Sequence, residues 1–375
     1  MHKVYSCSDT DMPKLLLDSG HTLLVTGPAS LTLAGGEATV LGARVEQEEK
    51  IVVGEERQLA LEAETSCTLE ATFGDHAKHI EIKGSAIPES WREAEETVLG
   101  LENPKVIILG SVDSGKTSLC TYLSNALVKE KSNVTILDAD LGQADIGPPA
   151  TLSLAVADEA LLSLSDLDPE IMFFVGQTSP AYAEASVIEG LQKLIEQDPR
   201  SDFPLVVNTD GWIGTSESDA FKARMISTID PDLVIAIERQ NGELNDLISK
   251  TRTKSITVKT PENVRIRTRD ERKRLRELNY RRFLQGGIIR NVNFRRVSLR
   301  GLQLRDDRLR GAIEKLNALV GLLDERGLLL NIGILRTVCQ REGYMKILTA
   351  FEKEPFAVKF GSVKIDNEGR ELPLE

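Results

Sequence analysis

Lys105-Val106-Ile107-Ile108-Leu109-Gly110-Ser111-Val112-Asp113-Ser114-Gly115-Lys116-Thr117 decides the fold. The first five residues read as a strand buried on both faces. The next eight match G-x-x-x-x-G-K-[ST], between that strand and a helical pattern in which Leu119, Cys120, Leu123 and Leu127 recur at helical spacing. Glycines let the backbone close around phosphate oxygens. Successive N–H groups and a helix N-terminus then supply donors and positive potential. The loop Gly110, Ser111, Val112, Asp113, Ser114, Gly115, Lys116, Thr117, with Ser118 after it, is therefore a nucleotide-phosphate cradle. In such a loop Lys116 reaches the β- and γ-phosphates and the Thr117 hydroxyl is placed for Mg²⁺.

Outward from this stretch, strand candidates at 105–109, 134–139, 171–175, 204–208, 233–238 and 255–259 alternate with helical patterns at 116–130, 182–197 and 217–229. Alternation of this kind predicts an α/β domain with a parallel sheet. Residues 1–87, with short apolar runs between Gly-Pro, Gly-Gly and Gly-Asp turns, predict an all-β N-terminal domain. Residues 88–103 read as a linker helix. Residues 104–289 form the P-loop domain, with an Arg-rich lid over 265–284 whose helix is expected at 267–284. Residues 290–375 form a small, mainly β C-terminal domain, with one helix near 310–322.

Asp138-Ala139-Asp140 closes the strand after the loop, where the ligand crevice of a doubly wound sheet lies. Alternation points both carboxylates the same way. Thr117, Asp138 and Asp140 are the candidate metal-side oxygens, and Asp140 is the candidate acceptor of a proton from an attacking hydroxyl. Arg267, Arg272 and Arg276 sit at spacings 0, 5 and 9 along the lid helix, and the last two, at i, i+4, share one face. Such arginines over a P-loop clamp transferring phosphates, and a lid of this kind excludes water. There is no Asn-Lys-x-Asp guanine reader and no Leu-Ser-Gly-Gly-Gln, so the GTPase and transporter-ATPase readings recede.

The bulk composition adds limits. The net charge is −12, yet residues 252–300 hold 16 Lys/Arg against four acids, a local +12 on a body that is otherwise −24. A concentrated basic segment on an acidic chain predicts a local polyanion site. Cys7, Cys67, Cys120 and Cys339 are scattered, and His2, His21, His76 and His79 lie outside the phosphate region, so neither a disulfide framework nor a zinc site is expected. With no apolar run of about 18 residues and no signal peptide, a cytoplasmic protein without a membrane partner is expected.

Five motifs together resemble the polynucleotide 5′-hydroxyl kinase family, whose members act in mRNA 3′-end formation, tRNA splicing and ribosomal RNA processing. They are Gly110–Thr117; Asp140-Leu141-Gly142-Gln143 with Asp145-Ile146-Gly147-Pro148-Pro149; Val175-Gly176-Gln177-Thr178-Ser179-Pro180; Asn208-Thr209-Asp210-Gly211-Trp212-Ile213; and Arg267-Thr268-x-x-x-Arg272-x-x-x-Arg276. The resemblance implies transfer of the ATP γ-phosphate to the 5′-hydroxyl of RNA, with DNA left open, and ATP and Mg²⁺ as cofactors. It gives Asp140 the activation of the hydroxyl and places Gln143 near the substrate end or the metal. Thr178 and Ser179 would clasp a substrate phosphate, and Trp212 would stack on the terminal base. Lys116, Arg272 and Arg276 would carry the transferring phosphoryl group, with Arg267 in support. The compact length resembles archaeal members. Asp210 is a departure, since the family often has Cys there. The other reading of the same residues is an ATP-binding scaffold without turnover.

Overall fold

The computed structural model describes residues 14–301, 315–339 and 341–373. The chain divides into two compact units, Met1–Ile87 and Pro88–Glu375. In the first, β1 (Lys14–Leu17), β8 (Cys67–Phe73), β3 (Ala29–Gly35) and β6 (Lys50–Val53) form one antiparallel sheet in that order. A second antiparallel sheet runs β5 (Ala43–Arg44), β4 (Ala38–Val40), β7 (Gln58–Ala63), β2 (His21–Thr26) and β9 (Lys78–Lys83). Alternate residues face inward: Ala29, Leu31 and Leu33 on β3, and Cys67, Leu69 and Ala71 on β8, are buried.

The second unit begins with α1 (Glu89–Leu99) and is centred on a seven-stranded sheet. Its order is β13 (Ile171–Phe174), β12 (Thr151–Ala157), β11 (Val134–Ala139), β14 (Leu205–Thr209), β10 (Lys105–Gly110), β15 (Leu233–Glu238), β16 (Ser255–Lys259). The last five are parallel. Helices α2 (Lys116–Lys131), α3 (Glu184–Gln197), α4 (Ser216–Ile229) and α5 (Asn245–Ser249) lie between strands in the chain. β11, β14 and β15 are buried at every residue: mostly apolar, they also bury Thr135, Asp138, Asn208, Thr209 and Glu238.

Two expectations are corrected. The sheet is mixed: β12, which no strand assignment anticipated, is antiparallel to β11 and to β13. The segments joining β11, β12 and β13 contain no α-helix, and a parallel return needs a crossover of a dozen or more residues, usually helical. The helix expected near 310–322 is also overturned in its described part, because Ala318–Leu323 is β19, buried along its whole length. An unbroken apolar run fits a buried helix and a buried strand equally. Here it pairs on both sides, with β20 (Leu329–Cys339) and β22 (Ala357–Lys364). Residues 310–314 of that expectation lie outside the described residues.

β19, β20 and β22 belong to a six-stranded sheet completed by β17 (Ile288–Asn293), β18 (Ser298–Arg300) and β21 (Tyr344–Thr349). It packs on the central domain through Phe174, at the end of β13, and Tyr280, on α6 (Arg269–Leu284). Leu319, Ile332, Ile334 and Ala357 supply its side of that core. Thr268 caps α6: its hydroxyl accepts from the Glu271 N–H, while the Glu271 carboxylate accepts from the Thr268 N–H.

Candidate active site

The loop after β10 folds as its residues demand. Gly115, at φ +101°, occupies backbone space that a side chain would strain, with the buried Trp91 ring of α1 and Pro261 packed behind it. Trp91 Nε1–H donates to the Lys259 carbonyl at 2.9 Å. Lys116 is buried and its Nζ donates to the Ser111 carbonyl at 2.7 Å. Burial lowers its pKa to about 8, against the opposing pull of Asp140 and with a further push from Lys222. The Ser111 and Ser114 hydroxyls are buried without a partner among the described residues. Orphaned donors beside an inward-turned lysine fit a polyphosphate. Thr117 heads α2, where its side-chain hydroxyl has no protein partner among the described residues.

Asp138 and Asp140 lie across the crevice. Asp138 is 1% exposed, and both of its oxygens are engaged. Oδ1 accepts from Asn208 Nδ2 at 3.0 Å and from the Asp140 N–H at 3.3 Å. Oδ2 accepts from the N–H groups of Asp145 and Ile146 at 2.7 and 3.3 Å. Burial, followed by the charges of Asp145 and Asp140, raises its pKa to about 7. Asp138 is thus built into the floor of the crevice. Asp140 is different. Its Oδ1 accepts from the Gly142 and Gln143 N–H groups at 3.0 and 2.9 Å, while Oδ2 has no protein partner among the described residues. Burial and then the charge of Asp210 raise its pKa, which makes it a better proton acceptor than an ordinary aspartate. Among the described residues no group of three or more His, Cys, Asp or Glu is arranged to hold a metal. A Mg²⁺ held by one hydroxyl, one carboxylate and substrate phosphates needs no such group.

The lid reaches the loop through Asp113. Its carboxylate accepts from the Arg267 N–H at 2.9 Å, from Arg267 Nη1 at 3.3 Å and from Arg272 Nη1 at 3.2 Å. Gln143 Nε2 donates to the Arg272 carbonyl at 3.3 Å, tying the Asp140 turn to the same helix. Arg276 is held elsewhere, with its Nε and Nη2 on the two oxygens of Glu371 at 2.5 and 2.8 Å. Thr178 and Ser179 are half-buried in the segment after β13, and the Thr178 carbonyl closely approaches Gly142. Trp212 is half-buried, its ring 5.7 Å from that of Phe221.

Several residues that shape this site escaped the sequence reading. Lys222 pairs with Asp210, Arg239 Nη2 donates to the Val112 and Asp113 carbonyls, and Asn279 fastens the lid to the carbonyls of Ala144 and Gly147. Only Lys222 left a signal: it occupies the apolar stripe of α4 with Phe221, Met225, Ile226 and Ile229.

Residues 110–286 match the family described as mRNA cleavage and polyadenylation factor CLP1 P-loop. A polyribonucleotide 5′-hydroxyl-kinase of Pyrococcus furiosus is 32% identical, the match covering 77% of this chain and 95% of that one. The chain belongs to the polyribonucleotide 5′-hydroxyl-kinase family. A member from Methanocaldococcus jannaschii is 30% identical, with 77% and 94% covered. Among solved structures, the Clp1p–Pcf11p complex superposes with a TM-score of 0.76 at 13% identity, covering 95% of this chain and 98% of that one. That likeness establishes the shared architecture of a P-loop domain with β-rich flanks. Among the described residues no helix is long and apolar enough to cross a membrane.

Proposed function

We propose that this chain is an ATP-dependent polyribonucleotide 5′-hydroxyl-kinase that transfers the γ-phosphate of ATP to the 5′-hydroxyl of RNA in the cytoplasm. One observation carries the reading: a P-loop with an inward lysine faces Asp140, whose Oδ2 has no protein partner among the described residues, under a lid whose Arg267 and Arg272 already touch the loop. ATP with Mg²⁺ supplies the phosphoryl group and much of its counter-charge. The chain does the rest. Lys116 leaves the Ser111 carbonyl for phosphate oxygens, and the Ser111 and Ser114 hydroxyls gain partners. Thr117 would hold Mg²⁺ on the nucleotide side, with Asp140 in reach of it only through water, while Asp138 keeps the crevice floor in place beneath them. Asp140 Oδ2 takes the proton of the substrate hydroxyl as its oxygen bonds to phosphorus and ADP departs. Arg267 and Arg272 turn from Asp113 to the spreading negative charge. Arg276, with Nε and Nη2 on Glu371, keeps the two Nη1 hydrogens and the second Nη2 hydrogen to offer. Thr178 and Ser179 hold the first substrate phosphate, Gln143 lines the end of the substrate, and Trp212 stacks on its terminal base, a contact that tolerates any base.

The test is transfer of label from γ-labelled ATP to matched RNA and DNA oligonucleotides bearing a 5′-hydroxyl, with and without Mg²⁺. Asp140→Asn is expected to cut kcat by about 10²- to 10⁴-fold, and Lys116→Ala by about 10²- to 10³-fold, with label appearing on RNA in the unaltered protein. ATP binding without any transfer would put a nucleotide-locked scaffold in place of the kinase.

A further inference from the structure

Lys222 stands on the apolar stripe of α4 with no exposed surface, and Asp210, at the end of β14, is 4% exposed. Its Nζ donates to Asp210 Oδ2 at 2.6 Å and to the Asp210 carbonyl at 3.1 Å. Each charge so deep in the fold is tolerated only because the other is there. A pair of apolar residues would fill the same space with equal or greater stability, so the pair suggests a demand for orientation.

The remaining contacts show what is oriented. Asp210 Oδ1 accepts from the Trp212 N–H at 2.8 Å, closing a turn around Gly211. The Trp212 ring lies against Phe221, and Lys222 Nζ is 5.4 Å from the centroid of that same Phe221 ring. Gly211 passes so close to the phosphate loop that an added Cβ would lie 2.6 Å from the Val112 nitrogen. The turn is therefore wedged between loop and helix, with Trp212 at its outer edge.

We propose that the Asp210–Lys222 ion pair is a positioning device for Trp212: Lys222 anchors Asp210, and Asp210 fixes the main chain and ring of Trp212 beside the phosphate loop as a platform for the terminal base of RNA. The inference rests on the kinase reading, and neither residue touches the reacting atoms; what it assigns to the pair is the placement of Trp212. The two tryptophans of the chain are Trp91 and Trp212. Trp91 is buried behind the loop, so quenching by a 5′-hydroxyl oligoribonucleotide in the absence of ATP reports on Trp212.

Asp210→Ala/Lys222→Met, which removes both charges and the acceptor, is expected to weaken oligonucleotide binding by quenching, and to raise its KM, about tenfold. The KM for ATP should stay within twofold. Asp210→Asn/Lys222→Met restores an acceptor for the Trp212 N–H and should bring the loss back to about threefold. In a Trp212→Ala background the alanine pair should cost nothing more. Asp210→Val/Lys222→Met, which fills the space without an acceptor, replaces the alanine pair if thermal melting shows it unfolded. The proposal is overturned if the alanine or valine pair binds RNA as the parent does, if the asparagine pair recovers nothing, or if the losses multiply in the Trp212→Ala background. A protein that transfers no phosphate would sink the kinase reading alone, since quenching still judges the platform.

Discussion

Glu271 holds the first turn of the lid, and its chemistry can be read from one residue. Its carboxylate accepts from the Thr268 N–H at 2.5 Å and from Arg265 at 2.7 Å. Those bonds, the Thr268 N–H foremost, hold its pKa down at about 2. A depressed carboxyl stabilises the fold above its unfolded value near 4.5 and loses that contribution as the pH falls towards 2. Glu271→Ala should therefore cost about 1 kcal/mol at neutral pH. The melting-temperature gap between parent and variant should narrow as the pH drops from 5 to 3, and an unchanged gap would mean that the ionised cap does not matter. The cap leaves a local mark, Thr-x-x-Glu before a helical run, but the helix expected at 267–284 ran over it. The partners of Asp113 leave none, since Arg267 and Arg272 lie 154 and 159 residues away and no local rule joins them. Asp138 was legible only as a carboxylate at a strand end. Its commitment to Asn208 depends on β11 and β14 being neighbours, with Asp138 in register with Asn208.

Between elements, α6 is the piece whose placement matters most. Asn279 ties it to the β11–β12 connection, and Arg276 docks it on the C-terminal segment. Arg276 and Glu371 are both largely enclosed, and the Glu371 N–H donates to Glu277 Oε1 at 2.9 Å. Charge-assisted bonds in such a setting are worth about 1.5–3 kcal/mol. Arg276→Ala and Glu371→Ala should each lower unfolding stability by about that amount. The double variant should cost no more than the worse single one, as denaturant titration of the four proteins would show. Additive losses would mean that the two side chains serve different neighbours. At this scale the sequence yielded the Arg-rich helix but neither its Thr268 cap nor its anchor, since Glu371 lies 95 residues beyond Arg276. The parallel strands were legible from their apolar runs. β12 was not, because a short apolar stretch without a flanking helix carries no mark of its direction.

Across the whole P-loop unit, the C-terminal sheet buttresses the loop proposed to receive RNA. Phe174 is buried at the junction, and Gly321 on β19 faces it so closely that an added Cβ would sit 2.5 Å from Phe174 Cγ. One step on, the Gly176 carbonyl accepts from the Ser362 N–H at 2.9 Å, so β22 grips the main chain just ahead of Thr178 and Ser179. Gly176 is also bound on its other side, donating to the Ala150 carbonyl at 2.9 Å. Interiors pack too densely to absorb a new side chain at such a point without displacing its neighbour. Gly321→Val must push Phe174, at a cost of about 1–3 kcal/mol. The displacement passes along the chain into the Thr178–Ser179 loop, whereas the phosphate loop hangs from β10, four strands away in the sheet. The variant should therefore raise the KM for RNA several-fold while the KM for ATP stays within twofold, a split that steady-state kinetics with each substrate varied in turn would show. A change confined to ATP would mean that the sheet supports the phosphate side of the crevice rather than the substrate side. The connection could not be foreseen from residues 290–375 alone, whose strands show which residues are apolar but not that the face they build is completed by Phe174 from β13.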